Sequence, residues 1–382
     1  MLKRKVCFVI TSHIHYGRSK LILDELKKHK NIDLQIVVGA SAILDPHGDV
    51  LTLLKRDGFA YHAKIFMTLE GGNPIAMAKT TGIGITEFAT AFDNLQPDIV
   101  LVRGDRYEIL AAVVAAAYLN IPIAHIEGGD VTGTIDESVR HAITKLAHIH
   151  FTTNDEAKKR VLAMGERPEY VFNFGAPELE FVVKNTFKIT NEFINRLGVG
   201  DVVNINEPYL VVMQHPVTTE IGKNRANIEE TLHAVHEVGI PTIWFWPNVD
   251  AGSDEVSKGI RVFREKYKPD HMRFVKYLPP EEFIALLKHS ACLVGNSSAG
   301  IKEASYLGLP VVNIGSRQNG RMRGLNVVDV EHDRKKIKKA IEKQLAKGIY
   351  KSSKIYCKPN TSKNIVRILH SVSLYTQKAF HG

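Results

Sequence analysis

Residues 99–130 read IVLVRGDRYEILAAVVAAAYLNIPIAHIEGGD, and this stretch decides the fold. Ile99–Val102 is wholly apolar, and Pro122–Ile126 is apolar except for His125. Both runs are predicted strands, and the alanine-rich segment Ile109–Leu119 between them is a predicted helix. A strand that is apolar at every position is buried on both faces, which is typical of a parallel sheet covered by helices. The stretch therefore predicts one unit of a doubly wound α/β domain.

The same alternation continues on both sides of this unit. In the first half, the pattern predicts strands at Val6–Ile10, Leu34–Val38 and Ile149–Thr152, and helices at Lys20–His29, Thr80–Leu95 and Asp136–Ala147. In the second half, it predicts strands at Tyr209–Met213, Thr242–Trp246, Met272–Val275, Cys292–Val294 and Val311–Ile314, and helices at Ile228–Glu237, Val256–Lys266, Pro280–His289, Gly300–Leu307 and Lys335–Ala346. A chain of 382 residues is long for one hydrophobic core and suits two such domains.

Apolar periodicity is weakest around residues 175–206, which places the domain boundary there. The predicted division is an N-terminal Rossmann-like domain over residues 1–180 and a C-terminal one over residues 181–360. Residues 361–382 hold a closing helix, predicted at Ser362–Ala379, that packs back across the domains. Ligands of doubly wound sheets bind beyond the carboxyl ends of the strands. The residues directly after strands are therefore the candidates for a site in the cleft between the domains.

Composition and charge limit the classes of function. Hydrophobic residues make up 44% of the chain and charged residues 24%, as in an ordinary globular protein. The net charge of +9 reflects either a solvated lysine-rich surface or attraction for an anionic ligand such as a nucleotide. The sequence has no helix-turn-helix, zinc-finger or RNP signature, so nucleic acid is not an expected partner. No apolar run approaches the roughly 20 residues of a membrane span, so no membrane partner is expected either.

Cysteine and histidine usage give no sign of a metal or cofactor. The widely separated Cys7, Cys292 and Cys357 predict reduced thiols and a cytoplasmic location. Histidines are frequent between residues 125 and 150, but no thiolate or tight histidine pair completes a metal site. We therefore expect neither a metal ion nor a cofactor.

Carboxylates follow two consecutive strands of the first half. Asp105 lies in the turn Arg103–Arg106, and Glu127 opens the turn Glu127–Asp130. Because consecutive strands of a doubly wound sheet are often neighbours, both carboxylates are predicted to face one cleft, where such groups serve as acids and bases. An ion-paired surface turn and a plain strand-to-loop turn are the alternatives. Asp136, at the start of a predicted helix, is either a helix cap or a third acid–base group.

Two further segments suit phosphate binding. Ser297 and Ser298 lie in Gly295–Gly300, where a strand ends and a predicted helix begins, and the free N–H groups of a helix start suit a diphosphate. An ordinary capped helix is the alternative. The predicted loop Thr11–Lys20 lacks the Gly-x-Gly-x-x-Gly spacing of NAD-binding domains, which argues against a dehydrogenase. Its Arg18 and Ser19 are candidates for phosphate contacts.

Read in order, these segments resemble the hydrolysing UDP-N-acetylglucosamine 2-epimerases of sialic-acid biosynthesis. The matching segments are RGDR at 103–106, HIEGGD at 125–130, GTIDESVRHAITKLAH at 133–148, HPVTT at 215–219, NVDAGS at 248–253 and GNSS at 295–298. The resemblance covers roughly residues 6–330, and residues 125–148 are its most specific part. The non-hydrolysing epimerases share the fold but differ after their His-x-Glu, so they rank second.

The resemblance implies a GT-B fold, in which two Rossmann-like domains face a central cleft and the C-terminal domain holds most of the UDP. It also implies a reaction: elimination of UDP to a 2-acetamidoglucal, then addition of water to release N-acetylmannosamine. By motif match, the candidate catalytic residues are Asp105, Glu127 and Asp136. The candidate UDP-binding residues are Arg18, Ser19, Arg106, His215, Ser297, Ser298, Glu303 (through the ribose hydroxyls) and Arg317. The resemblance further implies a homo-oligomer, a dimer or a tetramer.

The first loop departs from the family pattern. Where the family usually has Arg-Ala-Asp-Tyr-(Ser/Gly)-Lys, this chain has HIHYGRSK at residues 13–20, one residue longer and without the Asp. The departure weakens the assignment of Arg18 and leaves open a different sugar, UDP-N,N′-diacetylbacillosamine of legionaminic-acid pathways. Arg261 and Arg264 resemble a pair that binds the feedback inhibitor CMP-sialic acid in animal relatives, although a plain basic helix face is the favoured explanation. A retaining glycosyltransferase and a silent nucleotide-sugar-binding protein are the rival functions.

Overall fold

The computed structural model describes residues 3–44 and 49–381. Its first part contains β1 (Arg4–Ile10), α1 (His13–Lys28), β2 (Ile32–Gly39), α2 (Val50–Arg56), β3 (Ala63–Ile65), α3 (Pro74–Leu95), β4 (Ile99–Arg103), α4 (Tyr107–Tyr118), β5 (Ile123–Ile126), α5 (Ile135–Leu146), β6 (Ile149–Thr152), α6 (Asp155–Ala163) and β7 (Val171–Asn173). These strands form a parallel sheet in the order β3-β2-β1-β4-β5-β6-β7. This is the first domain.

The second domain repeats the arrangement. After α7 (Pro177–Lys184) and α8 (Asn191–Arg196) come β8 (Val199–Gly200), β9 (Leu210–Met213), α9 (Asn224–Val238), β10 (Thr242–Phe245), α10 (Ser253–Tyr267), β11 (Met272–Val275), α11 (Pro280–His289), β12 (Cys292–Gly295), α12 (Ser298–Ile301), α13 (Glu303–Leu307), β13 (Val311–Ile314), β14 (Val327–Val330), α14 (Arg334–Lys347) and α15 (Thr361–Ser371). The sheet order is β14-β13-β12-β9-β10-β11-β8, and β8 is antiparallel to β11. The prediction of two doubly wound α/β domains is confirmed.

The strands are buried on both faces because their side chains alternate between two hydrophobic cores. In β1, Phe8 and Ile10 pack into the core beneath α1, whereas Cys7 and Val9 pack into the core beneath α3 and α4. In β9, Val211 and Val212 likewise belong to different cores. This two-sided burial explains why the strands read as continuous apolar runs in the sequence.

The end of the chain returns to the first domain. Ile365, Val366 and Leu369 of α15 are buried in the same core as β1 and α1. The chain crosses between the domains twice, and the crossings lie side by side, with the Ala176 N–H donating to the carbonyl oxygen of Tyr356 at 2.7 Å. The division at residues 180 and 360 stays a prediction.

The structure corrects the bounds of several helices. Helix α1 begins at His13, not at Lys20, because Ser12 caps it by accepting a hydrogen bond from the His15 N–H at 3.3 Å. Helix α15 ends at Ser371 rather than Ala379, and the tail after it is held to the first domain by hydrogen bonds such as Tyr375 Oη to the carbonyl oxygen of His148 at 3.1 Å. The helix predicted over Gly300–Leu307 is two short helices that break at Lys302.

None of the helices in residues 3–44 and 49–381 has both the length and the apolar character needed to cross a membrane.

Candidate active site

A cleft lies between the two sheets, where the strands of each domain end. Its volume is about 380 Å³, which is within the range of small-molecule sites. The predicted site residues that line it are Asp105, Glu127, Asp136, Arg18, Arg106, His215, Ser297, Ser298, Glu303 and Arg317. The structure therefore brings together candidates from residue 18 to residue 317 at one position, as the strand-end rule for doubly wound sheets implies.

Ser19 lies outside the cleft. Its side chain is fully buried in α1, and its Oγ has no hydrogen-bond partner among the described residues. The reason is the early start of the helix: successive residues of a helix point about 100° apart, so Arg18 faces the cleft while Ser19 faces the core. The prediction that Ser19 contacts phosphate depends on a loop at residues 11–20, and the helix replaces that loop.

Glu127 is held by positive charges from both domains. It accepts a hydrogen bond from Arg103 Nε at 3.2 Å and one from Lys302 Nζ, which belongs to the second domain. Burial alone would raise the pKa of Glu127, but Arg103, Lys302 and Arg18 hold this pKa well below its usual range. The backbone of Glu127 also has a φ of 77°, a strained conformation for a residue with a side chain.

Asp105 and Asp136 lie in different surroundings. Asp105 accepts a hydrogen bond from Arg140 Nη2 of α5, and Arg140 is fully buried. Asp136 accepts a hydrogen bond from Thr134 Oγ1 at 3.0 Å, and burial together with the negative charge of Asp250 raises the pKa of Asp136. The helix cap is Thr134, so the interpretation of Asp136 as the cap is wrong. Glu127 is thus held ionised, while Asp136 binds its proton more readily than usual.

His215 presents a neutral imidazole to the cleft. Its Nδ1 accepts a hydrogen bond from the Asn248 backbone N–H at 3.2 Å, which leaves the proton on Nε2 as a donor for a ligand. Burial, followed by the positive charge of Arg317, lowers the pKa of His215 to about 3. The imidazole therefore stays uncharged near neutral pH.

The candidate nucleotide-binding residues come from both domains and already contact one another. Arg18 donates to the Glu303 carboxylate through Nε at 3.0 Å and Nη2 at 3.1 Å, and to Ser298 Oγ at 3.1 Å. Ser297 caps α12 by accepting a hydrogen bond from the Ala299 N–H at 3.3 Å. These polar groups lie where a ligand would touch both domains at once.

A second link across the cleft joins Arg106 of the first domain to Asp250 of the second. Arg106 Nη1 donates to Asp250 Oδ1 at 2.8 Å, and Arg317 Nη2 is 3.7 Å from Asp250 Oδ2. Burial would raise the pKa of Asp250, but these two arginines lower it. Asp250 is not among the predicted site residues, although it lies in the NVDAGS segment that carries part of the resemblance.

Four further residues of the charged cluster around Asp105 and Glu127 are not among the predicted site residues. They are Arg103, Arg140, Glu178 and Lys302, all buried. For Lys302 the sequence offers one indication, because this residue lies four positions after the candidate Ser298. Glu178 has no such signal because it lies on the connecting helix α7 and contacts Arg103 and Lys302, which come from distant parts of the chain.

Within the described residues, no three or more histidine, cysteine, aspartate or glutamate side chains are arranged to hold a metal ion. The histidines near the site make hydrogen bonds with the protein instead: His125 Nε2 donates to the carbonyl oxygen of Gly104 at 2.8 Å, and His150 Nε2 contacts Glu166 Oε2 at 3.1 Å.

The comparisons with known proteins agree on one family. A family model described as UDP-N-acetylglucosamine 2-epimerase matches residues 24–370. The chain is 34% identical over 374 residues to a hydrolysing UDP-N,N′-diacetylbacillosamine 2-epimerase of Legionella pneumophila, covering 98% of this chain and 97% of the relative. It is 30% identical over 351 residues to a UDP-N-acetylglucosamine 2-epimerase of Neisseria meningitidis, covering 92% and 90%.

The fold also has solved counterparts. The crystal structure of Methanocaldococcus jannaschii UDP-GlcNAc 2-epimerase in complex with UDP-GlcNAc and UDP superposes with a TM-score of 0.77 at 18% identity, covering 96% of this chain and 99% of that one. At this identity the likeness concerns the fold alone, and it confirms the GT-B arrangement.

Proposed function

This chain belongs to the UDP-N-acetylglucosamine 2-epimerase family, and we propose that it is a hydrolysing member that converts UDP-N-acetylglucosamine and water to N-acetylmannosamine and UDP. The observation that carries the proposal is the set of carboxylates Asp105, Glu127 and Asp136 in one cleft, opposite the polar groups of the second domain. Simple transfer of a sugar has no need for a base at C2, so these carboxylates favour an epimerase over a glycosyltransferase.

The proposed reaction has two stages. In the first, a base removes the C2 proton, the C1–O bond breaks, and UDP leaves with the electron pair of that bond, which gives a 2-acetamidoglucal. In the second, water gives a proton to a base as its oxygen bonds to C1, and an acid delivers a proton to C2 on the opposite face, which gives the manno sugar. Both stages need positioned acid–base groups, and the leaving diphosphate needs positive charge and hydrogen-bond donors.

The different surroundings of the carboxylates support different roles. Proton transfer is most effective for a group whose pKa lies near the working pH, and the raised pKa of Asp136 moves it in that direction. Glu127 is ionised throughout the neutral range because Arg103 and Lys302 hold it so. We therefore assign proton transfer to Asp136, and to Glu127 the role of a permanently ionised carboxylate beside the reacting sugar.

UDP is proposed to bind mainly to the second domain. His215, Ser297 and Ser298 supply hydrogen bonds to the diphosphate, Glu303 binds the ribose hydroxyls, and Arg106, Arg317 and Arg18 supply positive charge. Because Ser19 faces the core, it is not part of this proposal. A homo-oligomer also remains part of the proposal, and light scattering of the purified protein measures it.

A second substrate has specific support. The hydrolysing relative from Legionella pneumophila is 34% identical to this chain over nearly its whole length, and its name gives UDP-N,N′-diacetylbacillosamine as its substrate. This sugar differs from UDP-N-acetylglucosamine at C4 and C6 and would undergo the same chemistry at C1 and C2. We propose it as the alternative substrate.

The test is NMR of the purified protein with each UDP-sugar in deuterated water. Free UDP together with a manno sugar deuterated at C2 is the expected result, and the faster substrate identifies the preferred sugar. Intact UDP-sugars that equilibrate between the two epimers would point to the non-hydrolysing reaction instead. No change with either sugar would favour a transferase or a binding protein.

Replacing Glu303 by Gln is expected to weaken UDP binding about 10- to 100-fold. The reason is that a hydrogen bond to a charged group contributes about 1.5–3 kcal/mol, and the amide cannot accept two ribose hydroxyls as a carboxylate does. Isothermal titration calorimetry with UDP measures the effect. Glu342→Gln on the exposed face of α14 is the control and should bind UDP like the natural protein. Equal affinities for E303Q and the control would remove Glu303 from the proposed site.

A further inference from the structure

Lys302 belongs to the second domain, and its side chain reaches into a cluster of carboxylates from earlier segments of the chain. It occupies the break between α12 and α13, and its side chain is 1% exposed. Its Nζ donates to Glu127 Oε1 and lies 3.4 Å from Glu178 Oε1 and 3.6 Å from Asp130 Oδ2. All three carboxylates belong to segments before β8. A lysine with so little exposure is rare unless it is paired, and here three carboxylates from outside its own sheet pair with it.

Several other charged or titratable groups face Glu127. Arg103 of β4 donates to its Oε2, and Arg18 and the buried His15 of α1 lie within electrostatic range. Glu178 of α7 lies beside the same lysine. Arg103 and Lys302 therefore hold one oxygen each of the Glu127 carboxylate, and Lys302 is the one that arrives from the second domain.

The strained backbone of Glu127 makes its contact with Lys302 important. Glu127 has a φ of 77°, and its N–H donates to the carbonyl oxygen of Phe151 at 3.0 Å. A strained residue keeps its conformation only where several contacts fix it. Opening of the cleft would withdraw Lys302 and leave Oε1 without its ammonium partner.

We propose that Lys302 is a positioning residue of the epimerase reaction, which fixes the Glu127 carboxylate from the opposite domain so that Glu127 is ready for catalysis only when the domains are closed. The inference rests on the proposed function, because it assigns a role within the same site. Lys302 does not line the cleft, so it acts through Glu127 and not by contact with the sugar.

The test compares Lys302→Met with Lys302→Arg and with Lys339→Met, an exposed lysine on α14 that serves as the control. Methionine keeps the length of the side chain but removes the charge. For K302M we expect a loss of about 100-fold in kcat for UDP release, the size seen when a catalytic group is misplaced by about 1 Å. The Kd for UDP should change less than about threefold, because Lys302 is outside the ligand-contacting surface. K302R should recover most of the activity, and K339M should equal the natural protein.

A structural role alone would not change the ionisation of Glu127, so the titration of this carboxylate is measured as well. Without the ammonium group, the pKa of Glu127 should rise, because an opposite charge nearby lowers a carboxylate pKa. The titration midpoint of Glu127 should therefore move to higher pH in K302M and not in K302R. An unchanged kcat in a folded K302M protein would overturn the proposal.

Two additions allow the test to be read even if K302M is unstable or the enzyme is inactive with both UDP-sugars. Removal of Lys302 leaves buried carboxylates without a partner, so K302M is accompanied by the double variant K302M/E178Q, which preserves the net charge of the cluster. If K302M fails to fold, the double variant takes its place and is compared with Glu178→Gln alone, so that Lys302 is again the only difference and the same changes are expected.

The second measurement does not depend on activity. In protein labelled with ¹³C at the glutamate Cδ, the Glu127 signal is identified by its absence in Glu127→Gln, and its titration is followed in each variant. A raised midpoint in K302M supports the inference even if neither UDP-sugar turns over, in which case only the proposed function fails. An unchanged midpoint refutes the inference even if the enzyme is active.

Discussion

Replacing Glu127 by Gln is expected to lower kcat for UDP release by about 1000-fold or more, while the Kd for UDP stays within about threefold. The amide has nearly the shape of the carboxylate but lacks its negative charge. The proposed reaction builds up charge at C1 and C2 of the sugar, and positioned acid–base and charged groups contribute rate factors of about 10²–10⁴. UDP is proposed to contact mainly the second domain, so its binding should survive. The measurements are steady-state release of UDP and calorimetry with UDP.

The same experiment on Asp105→Asn and Asp136→Asn separates the two stages of the reaction. A variant that releases UDP but accumulates the 2-acetamidoglucal has lost only the addition of water, whereas one that releases no UDP has lost the elimination. Since the amide in E127Q would leave Arg103 and Lys302 with less negative charge nearby, the thermal unfolding midpoint of E127Q must be compared with that of the natural protein. Equal losses of turnover and of UDP affinity in a stable E127Q protein would refute the catalytic role of Glu127.

Replacing Gly133 by Ala is expected to reduce kcat/KM by about 100-fold or more without unfolding the protein. Gly133 lies in the first domain before α5, and its N–H donates to the Arg317 carbonyl oxygen of the second domain at 3.2 Å. A Cβ added at Gly133 would overlap the carbonyl oxygen of Ser316, which is backbone and has no alternative rotamer. The domains would be forced apart, and the groups that meet across the cleft would be misplaced.

A matched glycine gives the control for this prediction. Gly82 lies on the exposed side of α3, and a Cβ there would meet nothing within 4 Å among the described residues. Gly82→Ala should therefore keep full activity and raise the free energy of unfolding by up to about 1 kcal/mol, because alanine is favoured over glycine in a helix. The measurements are kcat/KM and urea unfolding of both variants. A fully active G133A protein would mean that the reaction does not need this close approach of the domains.

The features that the sequence predicts correctly depend on short-range periodicity. Apolar runs locate the main strands, and the rule that consecutive strands are often neighbours places Asp105 and Glu127 on one cleft, since β4 and β5 are indeed paired. Resemblance to the epimerases supplies the residues of the second domain. Motifs and their spacing are therefore sufficient to select residues that meet at the cleft, since all of the predicted site residues except Ser19 line it.

The features of the site that the sequence does not reveal depend on contacts between distant segments of the chain. Nothing in the sequence near Lys302 indicates that Glu127 lies against it, because that pair forms only when the two sheets face each other. The pairing of Asp105 with Arg140 likewise needs the position of α5 relative to β4. The assignment of Ser19 to a loop is wrong because the cap at Ser12 begins the helix in a polar, histidine-rich stretch with little apolar periodicity.

The return of α15 to the first domain has a consequence for synthesis of the protein. Ile365, Val366 and Leu369 complete the core that β1 and α1 begin, so the domain translated first cannot finish folding until α15 has left the ribosome. The second domain, whose strands and helices are contiguous in the chain, is complete earlier. Between the synthesis of β7 and that of α15, the nascent chain therefore carries a first domain whose core is incomplete and whose apolar surface beside β1 and α1 is exposed.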